Sequence, residues 1–214
     1  MVTPAHHSLT PAAREGFWPA LLWCLLGVLW PIPAAAVPGD APGVLLVAAP
    51  GHGAPHFREA VLLLKRHAGG GTLGVILNRP GTTRVDDLFP DLPPPRGPAA
   101  TVYEGGPAEA DQVVFLVRTQ RLAPRNALPV FDHVYLAYDL QLLADILRHP
   151  VPLPEVRVFR GHARWARGEL EAAIARGEWY LVEADVDHLF ASNPATLWSR
   201  LVRQVEAPRV RTPQ

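Results

Sequence analysis

The chain has 214 residues, 49% of them hydrophobic, and its 20 lysines and arginines balance its 20 aspartates and glutamates. That is enough apolar material for one substantial core, and the balanced charge gives no overall electrostatic lever on a polyphosphate backbone, which disfavours nucleic-acid binding. The single cysteine, Cys24, excludes an intrachain disulfide and any zinc site built on cysteines.

Met1 to Glu15 is polar, with Arg14 and Glu15 as its only formal charges. Gly16 to Pro33 carries no charge and is dominated by Phe17, Trp18, Leu21, Leu22, Trp23, Leu25, Leu26 and Trp30, and the small run Ala34-Ala35-Ala36 follows. A basic residue, a short apolar core and small residues in that order predict a secretory signal peptide over residues 1–36, cleaved after Ala36. There are two alternatives. One is an uncleaved membrane anchor, although Pro19, Pro31 and Pro33 shorten the stretch below the ~20 residues that a spanning helix needs. The other is a start codon set too far upstream, which would make the chain cytoplasmic. The expected location is thus periplasmic or secreted, with membrane contact only through this N-terminal segment.

A Pro/Gly linker over residues 37–43 leads to a domain over residues 44–206 and a Pro/Arg-rich tail over residues 207–214, which is expected to fray. Val44 to Ala49 is a predicted strand, ended by Pro50-Gly51. Phe57 to His67 has apolar residues at Phe57, Ala60, Val61, Leu62 and Leu64, a spacing that predicts an amphipathic helix covering a sheet. Leu73, Val75, Ile76 and Leu77, bounded by glycines and by Arg79-Pro80, form the predicted central buried strand. A helical turn is expected at Asp86-Asp87-Leu88-Phe89, and strands at Thr101–Glu104 and Val113–Val117, with a connecting loop over Pro124 to Pro129. Val134–Tyr138 reads as strand, Leu140–Leu147 as helix and Val156–Phe159 as strand, followed by a turn at Arg160-Gly161-His162. Trp165 to Ala175 is predicted helical, with Gly177 as its C-cap, then a strand at Trp179–Val182. A closing helix spans Pro194 to Val205 behind the N-cap pair Ser192-Asn193. Strands outnumber helices and several lack a crossover helix, so the expected class is α+β, a single domain with a mixed, curved sheet covered by helices.

Gly69, Gly71 and Gly74 match the spacing of a dinucleotide fingerprint, but with the helix before the glycines and the strand after them, the reverse of the required order. The only lysine is Lys65, which excludes a Walker-type loop, and Ser8, Ser192 and Ser199 sit in no nucleophile elbow. His52 and His56 lie four apart, but Gly51, Gly53 and Pro55 forbid the helix that would turn them toward one metal ion, so they read as loop histidines and no metal is expected. Asp132-His133 and Asp187-His188 read as surface residues, and Trp165 and Trp179 as core aromatics.

The polar groups that remain gather at the ends of apolar segments: Asn78-Arg79, Glu104-Gly105-Gly106 and Arg160-Gly161-His162. If the preceding strands are neighbours, these turns share one rim, and Asn78, Arg79, Glu104, Gly105, Gly106, Arg160 and His162 are the candidate ligand-binding residues. The structural alternative is that Asn78 and the glycines shape turns while Arg79 pairs with Glu104.

Leu46-Val47-Ala48-Ala49-Pro50, Phe57-Arg58-Glu59-Ala60-Val61, Gly74-Val75-Ile76-Leu77-Asn78-Arg79-Pro80, Glu104-Gly105-Gly106-Pro107, the run Gly161 to Glu171 and Gly177-Glu178-Trp179 together resemble the bacterial YqgE/AlgH family. The match spans Val44 to Val205. It implies a single α+β domain with no known cofactor and an uncharacterised biochemical activity. Some members of the family carry a transcriptional-regulator label, although nothing in this chain resembles a helix-turn-helix. Gly161-His162-Ala163-Arg164-Trp165 stands where the family usually shows Gly-Tyr-Ala-Gly-Trp, and a leader is unexpected among relatives that look cytosolic.

The first functional expectation is a non-enzymatic binding or regulatory protein that engages a protein or small-molecule partner through the rim. The alternative is a small-molecule binder or enzyme with Glu104 as base and Arg79 or Arg160 holding an anion.

Overall fold

The computed structural model describes residues 43–66, 71–92, 100–120, 127–131, 133–148 and 155–207. The predicted leader, all of the linker except Gly43, and the tail after Ala207 lie outside the described residues.

The strands are β1 (Val44–Ala48), β2 (Val61–Arg66), β3 (Thr72–Ile76), β4 (Pro80–Arg84), β5 (Thr101–Glu104), β6 (Ala108–Arg118), β7 (Ala127–Phe131), β8 (Val134–Ala137), β9 (Glu155–Trp165) and β10 (Trp179–Glu183). The α-helices are α1 (Val85–Leu88), α2 (Leu140–Arg148), α3 (Glu169–Ala175), α4 (Val186–Leu189) and α5 (Leu197–Glu206). The sheet runs β10-β1-β2-β3-β9-β6-β8-β7, with β5 on β9 and β4 on β5. Among the described strands, neighbours are antiparallel except for β5 and β9, which run parallel with Glu104 opposite Arg160. The chain is therefore an α+β domain with a mixed, curled sheet, as expected.

The central strand is where the apolar run placed it. β3 lies between β2 and β9, and every residue from Thr72 to Leu77 is buried. Alternation in the strands feeds two layers. Leu45, Val47, Leu63, Leu73, Val75 and Leu77 join Leu116, Leu136 and Phe159 in the main core, which Leu197 and Leu201 of α5 close. Their sequence neighbours Leu46, Leu62, Leu64 and Ile76 face the other way, onto Phe57, Trp165, Trp179 and Leu170 of α3. A third layer joins Val102, Phe115, Val117, Val156 and Val158 to Val85 of α1 and Leu143 of α2. Trp198 pins α5 to the sheet, its indole N–H donating to the Ala48 carbonyl at 2.8 Å.

Because β1 to β3 are covered on both faces, their sequences show no polar alternation, and this explains the main correction. The helix expected over Phe57–His67 does not form: Pro55–Phe57 makes a single 3₁₀ turn and Val61–Arg66 is strand β2. A strand buried on both faces and a buried helix present the same unbroken apolar run. The dinucleotide fingerprint fails all the more, since strands stand on both sides of its glycines and Gly69 lies outside the described residues.

Arg160-Gly161-His162 is likewise no turn; it lies inside the 11-residue strand β9. Val156 and Val158 face the α2 layer, whereas Ala163 and Trp165 face the α3 layer, and both layers lie opposite the main core. Ala163 is an odd number of residues after Val158, so an uninterrupted strand would turn it inward. Gly161, at φ +69, breaks the alternation opposite a bulge in β6, whose register shifts from Val113 opposite Arg160 to Ala108 opposite His162.

Three smaller corrections concern boundaries. Trp165 ends β9, and α3 starts only at Glu169 because Gly168 takes φ +84. Of the loop expected over Pro124–Pro129, residues 127–129 belong to β7, an edge strand where proline removes no ladder bond that a neighbour needs. Asn193 accepts no capping hydrogen bond on its side chain among the described residues. Its carbonyl instead accepts from the Thr196 hydroxyl at 3.2 Å, and a 3₁₀ turn at Pro194–Thr196 leads into α5. Gly177, at φ +74, ends α3 as read: its N–H donates to Ile174, and the Glu178 N–H donates to Ala173.

Candidate functional site

Asn78 and Arg79 leave β3 on the side of the loop that joins β1 to β2. The Asn78 carbonyl oxygen accepts from the buried Val61 N–H at 2.9 Å, and its Nδ2 donates to the Glu59 carbonyl at 2.9 Å. Arg79 donates from Nη1 to the His56 carbonyl at 2.7 Å and from Nη2 to the Arg58 carbonyl at 3.1 Å. Together the two side chains hold residues 56–61 against the sheet, with Glu59 at φ +55. The Arg79 guanidinium therefore points at carbonyls rather than at Glu104.

Glu104, the last residue of β5, and Arg160, in the middle of β9, are register partners in the parallel pair. Glu104 is exposed and Arg160 half-buried, and neither enters an ion pair among the described residues. Strand pairing alone sets these opposite charges side by side.

The glycines between them pack backbone on backbone. The Gly105 N–H donates to the Arg160 carbonyl at 2.8 Å, and the Gly105 carbonyl accepts from the Ile76 N–H at 2.8 Å. A Cβ on Gly105 would collide with the Gly161 carbonyl, and one on Gly106 with the His162 backbone. Gly106 itself takes φ +154. The three predicted segments thus do meet: Asn78-Arg79 lies next to Glu104-Gly105-Gly106, since the Glu104 N–H donates to the Arg79 carbonyl at 2.9 Å, and both abut Arg160-Gly161-His162.

His162 points inward. Its side chain is fully buried, and neither ring nitrogen has a hydrogen-bond partner among the described residues. Burial holds its pKa below the ordinary 6.5; Glu109 opposes that shift and Arg164 adds to it. Those two residues form an ion pair of 2.7 Å that also bears on Tyr138, whose phenol is pushed up to about 12, chiefly by burial.

Residues 45–209 match the model of the family described as AlgH-like, DUF179. The chain belongs to the AlgH-like family. Among its relatives, the UPF0301 protein Mmwyl1_0539 of Marinomonas sp. is 38% identical over 140 residues, which cover 64% of this chain and 73% of that one. The UPF0301 protein SCO2948 of Streptomyces coelicolor is 33% identical over 166 residues, 76% of this chain and 85% of that one. The crystal structure of DIP2367 from Corynebacterium diphtheriae superposes with a TM-score of 0.66 at 26% identity, covering 82% of this chain and 92% of that one. The solution structure of AlgH from Pseudomonas aeruginosa gives 0.61 at 26% identity, covering 77% and 88%. None of these names states an activity.

In this AlgH-like chain the departures at His162 and Arg164 fall together beside Glu109, as a buried ring and an exposed cation. A further polar residue escaped the sequence reading. Arg157 is 2% exposed within the main core and donates to the carbonyls of Leu189 at 2.9 Å and Ala191 at 3.0 Å, with its guanidinium 4.7 Å from the centre of the Tyr103 ring. The available signal was a charged residue at an inward position of the Val156–Phe159 alternation. His52 is also buried, its Nδ1 accepting from the Ala54 N–H at 3.2 Å and its ring 4.5 Å from that of Trp179. Trp165 and Trp179 meet edge to face at 6.2 Å, as core aromatics. His188 pairs with Asp185 at 3.1 Å.

Proposed function

We propose that this AlgH-like chain is a non-enzymatic binding or regulatory protein that engages its partner through Glu104 and Arg160. One observation carries the reading: the polar groups of the rim divide into two kinds. Asn78 and Arg79 are committed to carbonyls and an amide of residues 56–61. Glu104 and Arg160 are set side by side by strand register and enter no ion pair among the described residues. Two opposite charges on paired backbone positions suit a protein or small molecule that presents the complementary pair.

Export belongs to the same proposal. It is supported by the basic residue, apolar run and Ala34-Ala35-Ala36 order of residues 1–36, and it places the partner outside the cytoplasm. Cell fractionation and sequencing of the mature N-terminus test it: a chain beginning at Val37 supports export, and a full-length cytoplasmic chain removes it.

The binding surface is tested by co-purification from the native host with the unaltered chain and with the Glu104→Gln/Arg160→Gln double variant. A partner retained by the first and lost by the folded second is the expected result. A turnover activity of the purified chain that the same double variant abolishes would replace this reading with the enzymatic one, in which Glu104 acts as base and Arg160 holds an anion.

A further inference from the structure

β6 and β9 fall out of step over a buried histidine. Ala108 pairs with His162 and Val113 with Arg160, so the β6 residues between those pairs bulge opposite the single residue Gly161. Glu109, the first of them, sits at φ +46, a region that a side chain beyond glycine enters only at a cost. Its carboxylate is held by Arg164 Nη2 at 2.7 Å. Beside that pair along β9, the His162 ring is fully buried, and among the described residues neither Nδ1 nor Nε2 has a partner.

The charged groups acting on the ring are Glu109 on β6 and Arg164 on β9, and the same two act on Tyr138, which follows β8. β3, on the other side of β9, presents only an apolar residue there, Leu73 opposite Arg164. We propose that His162 and the Glu109–Arg164 pair form a pH-sensitive latch on the β6 bulge, closed over the neutral ring and opened at residues 108–112 when the ring is protonated.

The physical reason lies in what an imidazolium requires. It carries two N–H donors and a charge, and a buried charge without acceptors leaves the interior or draws one in. Among the described residues the anion acting on the ring is Glu109, already engaged by Arg164. Protonation therefore sets two cations in competition for one carboxylate, at the residue whose backbone is already strained. Burial and Arg164 keep the ring neutral to a pH below 6.5, so the closed form is fully present above 6.5 and is lost as pH falls. From 6.5 down to the folded-state value, the opening constant grows roughly tenfold per pH unit for one coupled proton.

Amide hydrogen exchange on the purified chain, corrected for the intrinsic pH dependence of exchange, tests the latch. Protection at residues 108–112 is expected to fall as pH drops below 6.5 in the unaltered chain and to hold in His162→Phe. Equal loss in both chains, or loss confined to residues 52–60 around the other buried histidine, overturns the proposal. Should His162→Phe fail to fold, NMR titration of the His162 ring in the unaltered chain decides. A midpoint below 6.5 that coincides with opening of 108–112 supports the latch, and a midpoint at or above 6.5, or opening that does not track it, refutes it.

Discussion

The side-chain amide of Asn78 reaches across from the end of β3 to Glu59, donating to its carbonyl at 2.9 Å while accepting from the Val61 N–H at 2.9 Å. Val61 is fully buried, so Asn78→Ala strands a backbone donor away from water. The expected loss is about 1–3 kcal/mol in equilibrium urea unfolding. Glu59→Gly, at φ +55, relieves backbone strain and is expected to change stability by less than about 1 kcal/mol.

Glycines separate by what surrounds them. Gly161→Ala and Gly106→Ala place a Cβ against the partner segment's backbone, which no rotamer can clear, in addition to their positive φ. Each is expected to cost more than about 3 kcal/mol or to abolish soluble expression. Gly168→Ala and Gly177→Ala carry the same sign of φ with open space around the added atom, and are expected to cost only about 1 kcal/mol. Thermal melts of the four variants check the ordering.

Arg157 holds the carbonyls of Leu189, the last residue of α4, and Ala191, just beyond it. Arg157→Lys keeps the charge but not the fork, so one carbonyl is left unpaired in the core, and a loss of about 1–3 kcal/mol is expected. Arg157→Met leaves both carbonyls unpaired, and its greater loss should appear first as faster amide exchange across residues 186–191.

Acid should weaken the fold before the surface carboxylates titrate. His52 is held below the ordinary 6.5 by burial, against Glu178, and His162 by burial, against Glu109. Both folded-state values lie below the unfolded one, so the stability that the neutral rings confer is complete above pH 6.5 and is lost as pH falls from 6.5 through the folded-state values. Urea midpoints are expected to be flat above 6.5 and to decline below it, less steeply in His52→Phe and His162→Phe.

These outcomes bear on how much of the molecule its sequence discloses. β1, β3, β5, β8, β10 and α2 were legible because each is a short apolar run or a regular stripe between clear breakers. β2 was not: Val61-Leu62-Leu63-Leu64 is buried on both faces, and leucine carries no β-branch to mark a strand. The break in alternation at Gly161 reads as a turn because a glycine between polar residues looks the same whether the chain reverses or merely shifts its parity, and only the β6 partner distinguishes them. The meeting of the three rim segments was legible, but the spending of Asn78 and Arg79 on the 56–61 loop was not, since their partners are backbone atoms 17 to 23 residues away.

The division of the rim into a structural half and a binding half is tested most directly by urea unfolding of Asn78→Ala, Arg79→Ala, Glu104→Gln and Arg160→Gln under one set of conditions. The first two are expected to lose roughly 1–3 kcal/mol each and the last two to stay within about 0.5 kcal/mol of the unaltered chain. A loss in Glu104→Gln or Arg160→Gln as large as that in Asn78→Ala would make those charges part of the fold's own support and contradict their assignment to a partner.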